Sequence, residues 1–222
     1  MRSNVTSCLA WRLYVILDRA AAQGRALPEL AAAAIRGGAD VLQLRDKAAS
    51  ARSLMEEAKR LLAVTRPAGI PLIINDRADV ARAVDADGVH LGQDDLPLAH
   101  ARSLLGADRI IGASTHRLDQ ARAAAAEGAD YIGIGPIFST PTKPEYPSVG
   151  LDLVRQVTAR VRVPGVCIGG IDRDHLALVF EAGGICVAVV RAVCCADDPE
   201  VATRELKMRI EHFHRATLAR SL

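Results

Sequence analysis

Residues 40–75 read DVLQLRDKAASARSLMEEAKRLLAVTRPAGIPLIIN, and three patterns follow one another in them. DVLQL (40–44) is an aliphatic run of strand length. ARSLMEEAKRLLAV (51–64) spaces Leu and Ala as the buried stripe of an amphipathic helix. PLIIN (71–75) then returns to a short aliphatic run. A helix crossing between two short hydrophobic strands is a parallel βαβ unit, because parallel strands need a long connection between them.

The same unit recurs along the chain. Further strands are expected at LYVIL (13–17), GVHL (88–91), RIIGA (109–113), YIGIG (131–135), GVCIG (165–169) and CVAVV (186–190), which makes eight in all. Between them lie helical stretches such as LPELAAAAIRGG, ADVARAVDA, PLAHARSLLG, LDQARAAAAEGAD and RDHLALVFEAGG. Several close on glycine, as a left-handed helix cap requires, and Pro28 stands near a helix start, where its missing N–H costs nothing. Eight units at intervals of about 25 residues, with no Ser/Gly linker, predict a single (β/α)8 TIM barrel rather than an open doubly wound sheet. One domain then covers 1–222, with 1–12 as an N-terminal extension and 198–219 as a C-terminal helix.

Composition narrows the function. The chain is 50% hydrophobic but only 3% aromatic, so the core is built from branched aliphatics, which suit buried parallel strands. A formal charge of +2 and a pI near 8.3, with arginines scattered along helices, lack the basic stripe of a nucleic-acid binder. No apolar run reaches the 18 or so residues needed to span a bilayer, and MRSNVTSCLAWR has no signal-peptide apolar segment. A cytoplasmic location is therefore expected. The five cysteines, Cys8, Cys167, Cys186, Cys194 and Cys195, have no CxxC spacing and read as reduced core residues. His212 and His214, on different faces of the last helix, are expected at the surface. No oligomeric state follows from the pattern.

In a barrel of this kind the chemistry lies just after each strand. After strand two, Gln43, Arg45 and Lys47 share one side of an extended chain, an anion-binding arrangement unless Asp46 takes up the cations in a salt bridge. Strand three ends in Asn75, Asp76 and Arg77, with Asp79 following. Asp76 is either an oxygen ligand for Mg²⁺ or a helix cap. Asp95, after strand four, carries the same two readings. Ser114 and His116 follow strand five, with no GxSxG elbow to make the serine a nucleophile. The loop GPIFSTPTKPEYPSVG (135–150) offers Thr140, Thr142 and Lys143 among four prolines, and long loops of this kind are often functional. Strands seven and eight end in Gly169-Gly170 and Val190-Arg191, where barrels often bind phosphate. Neither GxGxxG nor GxxxxGK[ST] follows the first strand. Together these ends call for two phosphorylated small molecules and Mg²⁺.

The strings VLQLRDK, INDRADVA, DGVHLGQDDL, IGASTH, GADYIGIGPIFSTPTKP and CIGGI, in this order from about Leu13 to Val193, closely resemble the thiamine phosphate synthase family. The resemblance implies a (β/α)8 transferase that joins hydroxymethylpyrimidine diphosphate to thiazole phosphate, or its carboxylated form, and releases pyrophosphate through a dissociative step. It implies that Gln43, Arg45, Lys47, Asn75, Ser114 and Lys143 hold the pyrimidine diphosphate, with Arg45, Ser114 and Lys143 in catalytic roles. By the same resemblance Asp76 and Asp95 bind Mg²⁺, while Thr140, Thr142, Gly170, Val190 and Arg191 form the thiazole phosphate side. The chain departs from the family's usual GADGVAVVSAI with GGICVAVVRAV, placing Ile185 and Arg191 where Asp and Ser are usual. Two other readings remain at this stage: a thiazole tautomerase on the same fold, and a non-catalytic paralog that binds a thiamine precursor.

Overall fold

A computed structural model describes residues 8–140 and 147–220. Eight parallel strands close into a barrel in sequence order: β1 (Leu13–Asp18), β2 (Val41–Arg45), β3 (Leu72–Asn75), β4 (Gly88–Leu91), β5 (Ile110–Thr115), β6 (Tyr131–Ile134), β7 (Gly165–Ile168) and β8 (Cys186–Val189). Seven connections carry a helix each: α1 (Leu27–Arg36), α2 (Ala51–Thr65), α3 (Ala78–Ala83), α4 (Leu98–Leu105), α5 (Leu118–Ala126), α6 (Gly150–Arg160) and α7 (Leu176–Glu181). After β8 come the four-residue α8 (Arg191–Cys194) and the long α9 (Pro199–Arg220). Every expected strand is present, with ends shifted by no more than two residues.

Local chemistry sets several boundaries. Pro28 sits in the first turn of α1. Ser50 caps α2 by accepting the Ser53 N–H at 3.2 Å. α4 stops at Gly106, whose φ of +85° carries the chain out of the helix, a conformation costly for residues with a Cβ.

The strand period of two divides the core into two layers. Leu13, Val15 and Leu17 of β1 face the helices, with Leu42, Leu44 and Ile74 of the neighbouring strands. Tyr14, Ile16, Val41, Ile73, Ile110, Tyr131, Val166 and Cys186 face the barrel axis. Trp11 closes the axis, 3% exposed, edge-on to Tyr14 and Tyr131 at ring separations of 5.9 and 5.4 Å. The stretch before β1 thus supplies two core residues, Cys8 and Trp11.

The cysteines are all free; four are buried and Cys195 is half-buried. His212 is exposed, but His214 is half-buried with Nε2 3.0 Å from the Ile185 carbonyl. The surface expectation therefore fails for His214, because α9 packs back on the connection into β8. No helix among the described residues is long and apolar enough to cross a membrane.

Candidate active site

Interior-facing positions near the C-terminal ends of the strands open into one cavity of about 460 Å³, within the usual size range for a small-molecule site. Gln43, Arg45, Asn75, Ser114, Thr140, Gly170, Val190 and Arg191 all lie on its wall. Glycine makes the room. A Cβ on Gly112 would stand 2.1 Å from the Tyr131 ring, and one on Gly133 would stand 3.3 Å from the His90 ring.

On β2 the period of two directs Gln43 and Arg45 inward, as expected. Gln43 is 2% exposed and donates from Nε2 to the Tyr14 hydroxyl at 2.7 Å. Arg45 forms a tight ion pair with Asp18 at the end of β1, the two side chains being 14% and 3% exposed. Asp18 also accepts the Ala21 N–H at 2.9 Å. Asp46, the partner considered from sequence, instead accepts the backbone N–H groups of Ala48 and Ala49. Lys47 does not share the inward side: β2 ends at Arg45, and Lys47, 61% exposed, stands 3.7 Å from the Asp76 carboxylate.

The capping readings of both aspartates fail. The cap position of α3 is Arg77, with no side-chain cap, and Asp76 takes φ +63° while its N–H bonds the His90 carbonyl at 2.8 Å. Left-handed backbone in a non-glycine residue is uncommon, though aspartate tolerates it better than most. The cap position of α4 is Pro97, and Asp95 folds back to accept the Gly92 N–H at 2.6 Å. Asp79 is occupied by Arg77 through two contacts of 2.8 and 2.6 Å, which hold its carboxyl below the usual range. No group of three or more His, Cys, Asp or Glu among the described residues could hold a metal. Neither carboxylate lines the main cavity: Asp76 faces Lys47 after β3, and Asp95, after β4, borders a second hollow beside α4 and α5; their oxygens are of the kind Mg²⁺ takes together with water and substrate phosphate.

Ser114 Oγ lies 2.9 Å from His90 Nε2. His116 does not cap α5, whose cap position is Arg117; its Nδ1 contacts the Gly135 carbonyl, joining the ends of β5 and β6. The chain after β6 continues along β7, with Ile137 N–H on Ile168 and Phe138 N–H on Gly169. Phe138 stacks on His175 with ring centroids 4.2 Å apart. Thr142 and Lys143 lie outside the described residues, so only Thr140 of the expected loop donors is placed. Gly170 has φ +61°, and a Cβ there would meet the Ser139 carbonyl at 2.6 Å. Arg191, exposed at the start of α8, borders the same wall.

The sequence reading missed Tyr14, His90, Tyr131 and Asp172 on the wall, and Asp18 behind Arg45. Asp172 Oδ1 approaches His175 Nδ1 at 2.9 Å, without good hydrogen-bond geometry. For the four strand residues the available signal was parity, polar and aromatic side chains at inward positions of aliphatic strands; Asp172, in the loop beyond β7, had no such signal.

The family model described as Thiamine monophosphate synthase matches residues 13–193. The thiamine-phosphate synthase of Chloroflexus aurantiacus is 49% identical over 205 residues, covering 92% of this chain and 94% of that protein. That of Natronomonas pharaonis is 48% identical, covering 90% and 94%. The solved thiamine phosphate pyrophosphorylase from Pyrococcus furiosus superposes with a TM-score of 0.85 at 38% identity, covering 93% of this chain and 98% of that one. A 3-hexulose-6-phosphate synthase, at 20% identity and TM-score 0.64, shares the fold alone. With its fold, its mouth and these relatives in agreement, the chain belongs to the thiamine monophosphate synthase family.

Proposed function

We propose that this chain joins hydroxymethylpyrimidine diphosphate to thiazole phosphate, or its carboxylated form, giving thiamine phosphate and pyrophosphate. The observation that carries the reading is that the β2, β3 and β5 ends and the β6, β7 and β8 ends open on one cavity, so two phosphorylated substrates can meet there. In this reading Gln43, Asn75 and Ser114 orient the pyrimidine diphosphate and Arg45 faces its diphosphate; Lys47 stays with Asp76 outside the cavity wall, and Lys143 is assigned to the diphosphate by the resemblance alone. Thr140, Thr142, Gly170, Val190 and Arg191 receive the thiazole phosphate.

Charge develops on the departing diphosphate, and fixed cations in a shielded mouth stabilise such charge more than water does. Arg45, held in place by Asp18, supplies one cation without reorganising. Asp76 and Asp95 would hold Mg²⁺, which would neutralise diphosphate charge when bound. The cytoplasm fits this reading, since the described cysteines are all free thiols of the kind kept reduced there.

The test is pyrophosphate release from both substrates, with Mg²⁺ and with a chelator. Release that depends on both substrates supports the reading; none, while a curated relative turns over in parallel, overturns it. Asp76→Ala is expected to lower turnover at least tenfold, on the order of one lost metal contact (about 1.4 kcal/mol per decade), with the circular dichroism spectrum kept. Unchanged turnover in that variant removes the metal role of Asp76 and leaves the synthase reading standing.

A further inference from the structure

Along the cavity wall a chain of side-chain hydrogen bonds crosses the barrel. Gln43 Nε2 meets the Tyr14 hydroxyl at 2.7 Å, and Tyr14 meets the Tyr131 hydroxyl at 3.0 Å. Tyr131 meets His90 Nδ1 at 2.9 Å, and His90 Nε2 meets Ser114 Oγ at 2.9 Å. Both tyrosines are fully buried, and burial pushes both phenols above their ordinary range, so both keep their protons.

Donor and acceptor inventory gives this chain a direction. The Gln43 amide NH₂ can only donate, so Tyr14 accepts from it and has one proton of its own to place. Tyr131 is the acceptor within reach, and giving it that proton leaves Tyr131 to donate to His90 Nδ1. An Nδ1 that accepts carries no proton, so the ring proton sits on Nε2 and is donated to Ser114 Oγ. In the opposite direction the Tyr14 proton would face the Gln43 NH₂ and an already donating Tyr131, and a buried donor left unmade costs about 1–3 kcal/mol.

We propose that Tyr131, with Tyr14 behind it, is a positioning residue that holds His90 in the Nε2–H tautomer and so turns the Ser114 hydroxyl proton into the cavity. Ser114 is then a hydrogen-bond donor to a substrate oxyanion. His90 does not act as its base, although a Ser–His pair at 2.9 Å has the outline of an activated nucleophile. The inference rests on the proposed reaction for the identity of that oxyanion, the leaving diphosphate, but its first test needs no substrate.

Nitrogen-15 NMR of the histidines, with His90 assigned by its loss in His90→Gln, reads the tautomer directly. The expected result is a protonated Nε2 and a bare Nδ1 in the wild type and in Tyr14→Phe, where Tyr131 still donates. Tyr131→Phe is expected to lose that single tautomer and to lower kcat about tenfold, one weakened hydrogen bond at 1.36 kcal/mol per decade, with KM for thiazole phosphate within about twofold. A proton on Nδ1 in the wild type overturns the proposal. So does a Tyr131→Phe protein that changes tautomer without losing kcat, or loses kcat with the tautomer intact.

Discussion

Asp18→Asn isolates the ion pair that aims Arg45 into the cavity. The substitution keeps the shape of the side chain but removes the charge, so an amide faces the guanidinium. Removing one partner of a buried pair costs about 3–5 kcal/mol. Asp18 is 3% exposed and Arg45 is 14% exposed at the mouth, so water recovers part of the loss and about 2–3 kcal/mol is expected. With a urea m-value of about 2–3 kcal/mol/M, the unfolding midpoint falls by about 1 M. An Arg45 free to swing should also raise KM for the pyrimidine diphosphate about tenfold, the equivalent of about 1.4 kcal/mol, more than it raises KM for thiazole phosphate. The assay is urea unfolding of wild type, Asp18→Asn, Arg45→Met and the double variant, followed by pyrophosphate release for each single variant. Side chains in direct contact couple, so the double variant should be more stable than the sum of the singles predicts. Strict additivity, or a loss below about 0.5 kcal/mol in Asp18→Asn, a surface-substitution effect, would refute the reasoning.

Gly170→Ala places a Cβ 2.6 Å from the Ser139 carbonyl at φ +61°; it should cost about 1–3 kcal/mol of stability and raise KM for thiazole phosphate more than that for the pyrimidine, in steady-state kinetics with each substrate varied. Trp11→Ala empties the plug between Tyr14 and Tyr131 and should cost about 3–5 kcal/mol, read by circular dichroism because Trp11 is the only tryptophan in the chain. Thiol titration of the native protein should modify Cys195, the half-buried cysteine, first and all five cysteines only after unfolding. Burial pushes Cys8 and Cys167 up to about 12 and Cys194 to about 11; the unfolded thiols lose protons from about pH 9 while the folded ones keep them, so stability falls as pH rises from about 9 to 11, checked by urea midpoints across that range.

The barrel was legible because each strand is a short aliphatic run and each helix carries a clear stripe, so register mattered little to recognising the unit. Parity alone placed Gln43 and Arg45 correctly on the inward side. It misplaced Lys47, because extended periodicity ends with the strand at Arg45. Asp76 and Asp95 read in one dimension as either metal ligands or helix caps, and only backbone geometry removed the capping reading. Tyr14 and Tyr131 passed for core, which they also are: nothing in the local pattern shows that Gly112, on the neighbouring β5, opens space over Tyr131, or that Gly133 does the same for His90. Asp18 escaped notice because its partner lies 27 positions away and is brought beside it by the pairing of β1 with β2.

The central claim is that one cavity joins two phosphorylated substrates, and product stoichiometry tests it most directly. Purified protein given hydroxymethylpyrimidine diphosphate, thiazole phosphate and Mg²⁺ should form thiamine phosphate and pyrophosphate in equal amounts, with neither product when either substrate is left out. Isomerised thiazole phosphate without pyrophosphate, or no turnover where the Chloroflexus relative turns over, would contradict it.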